Sequence, residues 1–204
     1  MRHRLPPPIE VRNVQRTLRV STGSLQRFAN TASALVWEHK RPRAEIGSVP
    51  EIAVLIVSDR RMATLHQEFC GLAGPTDVLT FRHGEIVISV ETAARQAKVF
   101  RSSLAGEIRL YLLHGLLHLA GFNDVAPRQR KQMLQLQRKL FFSLCEVDGS
   151  WSARTGRHRW LSIVLLLTPA FRRVPHRKKW TRGVLTACRQ CPCISAVACL
   201  GRNE

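Results

Sequence analysis

The stretch His-Gly-Leu-Leu-His-Leu-Ala-Gly-Phe-Asn-Asp, residues 114–124, carries the most information about the fold of this chain. It closes a segment with helical periodicity, so His114 and His118 stand at positions i and i+4 and their imidazoles project from one face. Gly121 permits a sharp turn directly after the helix. The turn can bring Asp124, six residues past His118, back to the same face.

These three side chains suit a metal ion. Imidazole nitrogen and carboxylate oxygen are both zinc ligands, and three protein ligands leave a fourth position open, as in catalytic rather than structural sites. The spacing therefore predicts that His114, His118 and Asp124 bind one zinc-type ion and act as the catalytic residues. The alternative is a pair of helical histidines near a core with no metal.

The spacing of the two histidines also occurs in metzincin proteases. Those enzymes carry a glutamate directly after the first histidine as the general base, and here that position is Gly115. A zinc protease therefore lacks its proton carrier in this chain and is the third alternative.

Strands and helices intermix on both sides of this stretch. Apolar or alternating runs predict strands over residues 9–14, 51–57, 77–81 and 85–90, the last two joined as a hairpin. Amphipathic patterns predict helices over residues 24–39, 59–69, 91–97 and 104–120, and another from Pro127 onward. Because the order lacks strict βαβ alternation, we expect an α+β (mixed α/β) single domain.

The composition excludes some classes of protein, and the uneven distribution of charge divides the chain into two regions. With 204 residues, of which 45% are hydrophobic, the chain can form a core, which excludes global disorder. The net charge of +18 favours a polyanionic partner such as nucleic acid or the ribosome, and the alternative is a basic surface that only aids solubility. Residues 151–204 hold eleven Lys and Arg against one acid. This shift predicts a domain over residues 1–148 and a basic, cysteine-containing extension over residues 149–204, poorly ordered.

The extension has a weak metal-site pattern. Its cysteines, Cys188, Cys191, Cys193 and Cys199, lack the two C-x2-C pairs separated by a loop that zinc sites use. The alternatives are a segment never selected for folding and a basic arm that binds RNA.

No targeting segment is expected. The start of the chain lacks the apolar region of a secretory signal, and the apolar run at residues 161–167 is far shorter than the roughly 20 residues of a membrane span. We expect a soluble, cytoplasmic protein that does not associate with membranes.

The chain resembles the YbeY endoribonucleases over roughly residues 8–145. Their signature H-G-x-L-H-L-x-G-[YF]-D-H is matched from His114 through Phe122. A second motif, P-T-D-V-L-[ST]-F, is matched at residues 75–81, and a third, G-[DE]-I followed by a strand, begins at Gly84. Glu107 and Met133 also stand where family members have Glu and Met.

The resemblance implies a small mixed four-stranded sheet with surrounding helices and one zinc ion. It implies single-strand-specific RNA cleavage in rRNA maturation, at the 16S 3′ end, and in ribosome quality control. The implied partners are rRNA and the ribosome or small-subunit components, with no DNA specificity, and the implied reaction is metal-assisted phosphodiester hydrolysis. The main alternative is a non-catalytic RNA- or ribosome-binding assembly factor of the same fold.

The chain departs from the family pattern twice. Asn-Asp replaces Asp-His at the end of the signature, so Asp124 adds negative charge in place of a neutral imidazole, and we expect metal binding to survive. Cys70 stands where many members have an arginine suited to phosphate contact. Arg60, Arg61 or Arg82 is predicted to bind substrate in its place.

Three further residues have two or more interpretations. Thr76 and Asp77 begin a strand near the predicted site, either as substrate-binding residues or as a capping pair. Glu107 lies seven residues before the first histidine on the same helical face. It either orients a ligand histidine, or is a buried structural acid, or is an exposed charge.

Overall fold

The computed structural model describes residues 5–147. Its strands and helices confirm the α+β prediction, and the extension predicted for residues 149–204, with its cysteines, lies outside the described residues. The elements in chain order are β1 (Ile9–Asn13), α1 (Thr22–Trp37), a 3₁₀ turn (Glu45–Gly47), β2 (Ile52–Val57), α2 (Asp59–Cys70), β3 (Val78–Phe81), β4 (Glu85–Ser89), α3 (Val90–Phe100), α4 (Leu104–Leu119) and α5 (Pro127–Val147).

The four strands form one mixed sheet in the order β1-β2-β4-β3. The β1–β2 and β2–β4 pairs are parallel, and β3 pairs with β4 in the predicted antiparallel hairpin. Gly84 in the hairpin has a φ of 101°, and a Cβ there would lie 2.5 Å from the Glu51 carbonyl oxygen. A side chain at this position would therefore be strained and would collide with the backbone.

Alternation along the strands divides the core between the two faces of the sheet. Ile86 and Ile88 face a large cluster that includes side chains from α1, α4 and α5. Val87, between them, faces a smaller cluster on the other side, with Met62 of α2. Because successive side chains of a strand point to opposite faces, this apolar β4 is buried on both sides.

Helix α4 is buried on nearly all sides and lies directly against the sheet. Gly115 allows this approach, since a Cβ there would lie 2.8 Å from Ile86 Cγ2 and 2.9 Å from Thr80 Oγ1. The glycine that follows the first histidine therefore sets how closely the helix approaches β3 and β4. Within the part of the chain that the structure describes, no helix is both long and apolar enough to cross a membrane.

Candidate metal centre

The two histidines of α4 converge as their spacing predicts. His118 is fully buried and His114 is half-buried, and their Nε2 atoms lie 3.0 Å apart. The two rings meet nearly edge to face, with their planes at 85°. Both Nε2 atoms are thus directed to one point beside the helix.

The turn after α4 brings the third predicted ligand to that point. Gly121 has a φ of 88°, and its N–H donates to the His118 carbonyl oxygen at 2.9 Å, which ends the helix. The chain then turns so that Asp124 Oδ2 lies 3.9 Å from His114 Nε2 and Asp124 Oδ1 lies 4.0 Å from His118 Nε2. The sequence-predicted ligands are therefore brought together by α4 and the loop that follows it.

The partner of each Nδ1 atom determines which nitrogen of the ring faces the cluster. The Phe122 carbonyl oxygen lies 3.1 Å from His118 Nδ1. A carbonyl can only accept, so Nδ1 carries the proton and Nε2 presents its lone pair. His114 Nδ1 lies 3.1 Å from Gln137 Oε1, an amide oxygen on α5, and donates to it in the same way.

Burial shifts the pKa values of two residues of the cluster. It lowers the pKa of His118 well below its usual range, His114 lowers it further, and the Phe122 carbonyl opposes both. Burial raises the pKa of Asp124, opposed by His114 and Arg130. Within residues 5–147 the buried Asp124 Oδ1 has no hydrogen-bond partner. Such an orphaned acceptor is costly unless a ligand satisfies it.

This donor set fits a divalent metal ion. Zinc bound tetrahedrally at roughly 2.0–2.1 Å places its donor atoms about 3.3 Å apart. The ligand atoms of the three residues all lie within 4.8 Å of one another, so small side-chain adjustments suffice. His114, His118 and Asp124 could therefore hold a metal ion.

The loop that carries Asp124 is itself held by neighbours. Arg130 Nε donates to the Asp124 carbonyl oxygen at 2.9 Å, and Asn123 Oδ1 accepts the Val125 N–H at 3.0 Å. The Arg41 N–H, from the segment after α1, donates to the Ala120 carbonyl oxygen at 3.0 Å. The carboxylate is thus positioned by hydrogen bonds from elements on both sides of the loop.

Glu107 is a fully buried acid on the same helix as the two histidines. Its carboxylate accepts a hydrogen bond from the Ser102 hydroxyl. Burial raises the pKa of Glu107, the hydrogen bonds from Ser102 and Tyr111 oppose this, and the charge of Asp77 adds to it. Of the three interpretations made from the sequence, the structure matches the buried acid.

Thr76 and Asp77 form the capping pair at the start of β3. Asp77 Oδ1 accepts from the Thr76 hydroxyl at 3.0 Å and from the Val78 N–H at 2.8 Å. The charge of Asp77 also raises the pKa of Asp124, so it lies near the metal cluster. A substrate-binding role for the pair stays a prediction.

The three candidate arginines lie at different ends of the fold. Arg60 and Arg61 lie in the first turn of α2, whereas Cys70 ends it, about 14–15 Å away along the helix. Arg82 lies in the β3–β4 hairpin, 72% exposed, with its Nε 3.9 Å from a carboxylate oxygen of Glu45. The structure does not bring these arginines together, and their substrate-binding roles stay predictions.

Sequence reasoning missed Gln137, which orients His114. It is 6% exposed and continues the buried stripe of Met133, Leu140 and Leu144 along α5. A lone amide on an otherwise apolar helix face is the signal that could have identified it, because buried polar groups need a partner.

Comparisons with known proteins agree with this geometry. The Endoribonuclease YbeY family model matches residues 10–144. Three relatives named Endoribonuclease YbeY are 38% identical over 100 residues (Anaeromyxobacter sp. strain Fw109-5), 33% over 134 residues (Bifidobacterium adolescentis) and 32% over 117 residues (Mycobacterium sp. strain KMS). The matches cover 44%, 56% and 48% of this chain and 52%, 73% and 66% of those relatives, so the chain spans only part of their length.

The fold has a counterpart among solved structures. The solution structure of TM1509 from Thermotoga maritima aligns with a TM-score of 0.52 at 26% sequence identity, covering 73% of this chain and 99% of that one. Together with the family match over most of the described residues, this shows that the chain belongs to the Endoribonuclease YbeY family.

Proposed function

We propose that this protein is a metal-dependent endoribonuclease that cleaves single-stranded RNA with one zinc ion. One observation carries the proposal: two imidazole Nε2 lone pairs lie 3.0 Å apart beside a buried carboxylate oxygen with no hydrogen-bond partner within residues 5–147. Lone pairs at this distance repel unless a cation lies between them, which supports a bound metal.

The residues of the cluster have separate roles in this proposal. His114, His118 and Asp124 would hold the ion, and Gln137 and the Phe122 carbonyl keep both imidazoles in the tautomer that presents Nε2. When bound, such an ion polarises a phosphoryl oxygen and lowers the pKa of a water molecule. His114, whose side chain is 13% exposed, is the most exposed of the three proposed ligands.

The wider role follows from the family to which the chain belongs. We infer that its substrate is ribosomal RNA, including the 16S 3′ end, in maturation and quality control, with the ribosome or its small subunit as partner and the cytoplasm as location. Residues 1–150 hold 21 Lys and Arg against 13 Asp and Glu, and this excess of eight positive charges supports a polyanionic partner.

A second candidate function is RNA or ribosome binding without catalysis. Cys70 favours it, because a thiol cannot hold a phosphate as a guanidinium does, and Arg60 and Arg61 lie at the other end of α2. A zinc protease has less support. Gly115 occupies the position of the protease's general base and packs too tightly against Thr80 and Ile86 for a longer side chain.

Metal analysis combined with RNA cleavage tests the proposal. We expect one zinc ion per chain and cleavage of a single-stranded oligoribonucleotide, both lost in His114→Ala. His83→Ala is the matched control, because it removes a histidine that is 67% exposed in the hairpin, and it should retain both properties. Binding of RNA without cleavage in any divalent metal would support the second candidate instead.

A further inference from the structure

A basic pocket lies between α1 and the 3₁₀ turn. It has a volume of about 600 Å³, opens to solvent, and is lined by Lys40, Arg41, Pro42, Arg43, Ala44, Gly47 and Ser48. Three of these residues carry a positive charge and none is acidic. Glu45, the acid of the same segment, lies 3.9 Å from Arg82 instead. The pocket is therefore suited to an anion.

Arg41 joins this pocket to the metal loop. Its N–H donates to the Ala120 carbonyl oxygen at 3.0 Å, its guanidinium lies 4.5 Å from the centre of the Phe122 ring, and its Nη2 donates to Gln132 of α5 at 3.2 Å. Phe122 is the residue whose carbonyl orients His118. The pocket and the metal cluster are thus held in one packed unit, and their separation is set by the fold.

The other two cations are exposed at the rim. Lys40 Nζ lies 4.2 Å from the centre of the Trp37 ring. This cation–π contact restricts the position of the ammonium group, which stays exposed to solvent. Arg43 has a φ of 62°, a backbone conformation that favours glycine. The side chain of Arg43 is exposed beside the pocket that it lines.

We propose that Lys40, Arg41 and Arg43 bind a backbone phosphate of the RNA strand whose cleavage the metal cluster performs. The inference rests on the proposed function, because it assigns the pocket to the substrate of that same site. The phosphate contact would lie beside the metal loop, on which Arg41 packs. Guanidinium and ammonium groups that line one pocket are suited to a phosphate.

Two double variants of the full chain, each removing two positive charges, test this assignment. Lys40→Ala/Arg43→Ala removes the rim cations and leaves Arg41, which holds the metal loop. Arg16→Ala/Arg19→Ala is the matched control, since both residues are exposed and neither is assigned a role in binding. They follow the carboxyl end of β1, whereas the pocket precedes the amino end of β2, the strand that pairs in parallel with β1.

Binding of a single-stranded oligoribonucleotide is measured by fluorescence anisotropy at several salt concentrations, alongside metal content. For the pocket variant we expect affinity to fall roughly 10- to 30-fold at about 0.1 M salt. The slope of log K against log salt should become shallower by about 0.7, because the contact with one phosphate is lost. The control should change affinity less than about threefold, and both variants should bind metal like the unmodified protein.

A third variant and the measured metal content distinguish a wrong pocket assignment from a wrong proposed function. Lys40→Arg/Arg43→Lys keeps the charges and should restore most of the affinity. If the two double variants lose affinity equally, or the pocket variant loses none, the pocket is not an RNA site. If the unmodified protein binds no metal and cleaves no RNA, the proposed function fails, whatever the pocket binds.

Discussion

Asp59 and Asp124 are two carboxylates in polar clusters of the same domain, and their surroundings differ. Asp59 accepts hydrogen bonds from the Ser89 hydroxyl, from Thr92 Oγ1 at 2.8 Å and from Arg95 Nη1 at 2.5 Å. Burial alone would raise the pKa of Asp59, but these bonds outweigh it and the pKa is lowered. Asp124 is more deeply buried, its pKa is raised, and within residues 5–147 its Oδ1 has no hydrogen-bond partner.

The difference supports a structural role for Asp59 and the proposed metal-binding role for Asp124. Asp59 begins α2 and ties it to the end of β4 and the start of α3, and its acceptors are satisfied by the protein itself. Asp124 leaves an acceptor open towards two histidine lone pairs. Because this acceptor lies beside two imidazole nitrogens, a cation is the ligand that would satisfy it, which supports the proposed metal site.

The largest effect is expected from Asp124→Ala. The substitution removes a metal ligand, so metal affinity should fall more than about 100-fold, beyond the loss usual for outer residues. Competition titration with a chromogenic chelator measures it. Asp59→Ala is the matched control and should bind metal as the unmodified chain does. Equal metal affinity in both variants would end the functional distinction between the two carboxylates.

The next effect concerns Gln137, which holds His114 from α5. Gln137→Leu removes the acceptor for Nδ1 and should lower metal affinity about 10- to 100-fold while the free energy of unfolding stays within about 1 kcal/mol. Gln137→Glu keeps an acceptor and should retain tight binding. The control Gln135→Leu changes an exposed residue of the same helix, and a loss of metal there would contradict the assignment.

Asp59→Ala tests whether the hydrogen-bonded carboxylate of the comparison stabilises the fold. It should lower the free energy of unfolding by about 1.5–3 kcal/mol, because it removes charge-assisted hydrogen bonds. The pKa of Asp59 is lower in the folded than in the unfolded state, so its stabilisation is present above the unfolded value, near pH 4, and is lost as pH falls through the folded value. Denaturant unfolding from pH 7 to pH 2 should show the difference between the two proteins shrinking in acid.

The smallest effect concerns the packing that positions the metal helix. Gly115→Ala places a methyl group against Ile86 and Thr80 and should lower the free energy of unfolding by about 1–2 kcal/mol, with weaker metal binding as α4 shifts. Gly23→Ala is the control, since nothing lies within 4 Å of a Cβ there, and it should be neutral or slightly stabilising. An unchanged Gly115→Ala protein would show that the metal cluster does not depend on this close approach.

Much of the secondary structure could be predicted because it depends on patterns within short stretches of the sequence. The helix from Pro127, the hairpin around Gly84 and the turn at Gly121 follow from capping, turn chemistry and periodicity, and the structure confirms each. The strand order β1-β2-β4-β3 could not be read from these patterns. It depends on which strands meet in the folded chain, and β2, β3 and β4 are all apolar, so their sequences do not select one partner.

By itself the sequence determined the three candidate ligands, because two are neighbours on one helix and the third follows a single glycine turn. The tertiary structure alone decided what surrounds them. Gln137 reaches His114 from 23 positions along the chain, and Arg41 packs on Phe122 from a segment far earlier in the chain. Periodicity governs contacts within a few residues, whereas these partners meet because separate elements bury their apolar faces against one sheet.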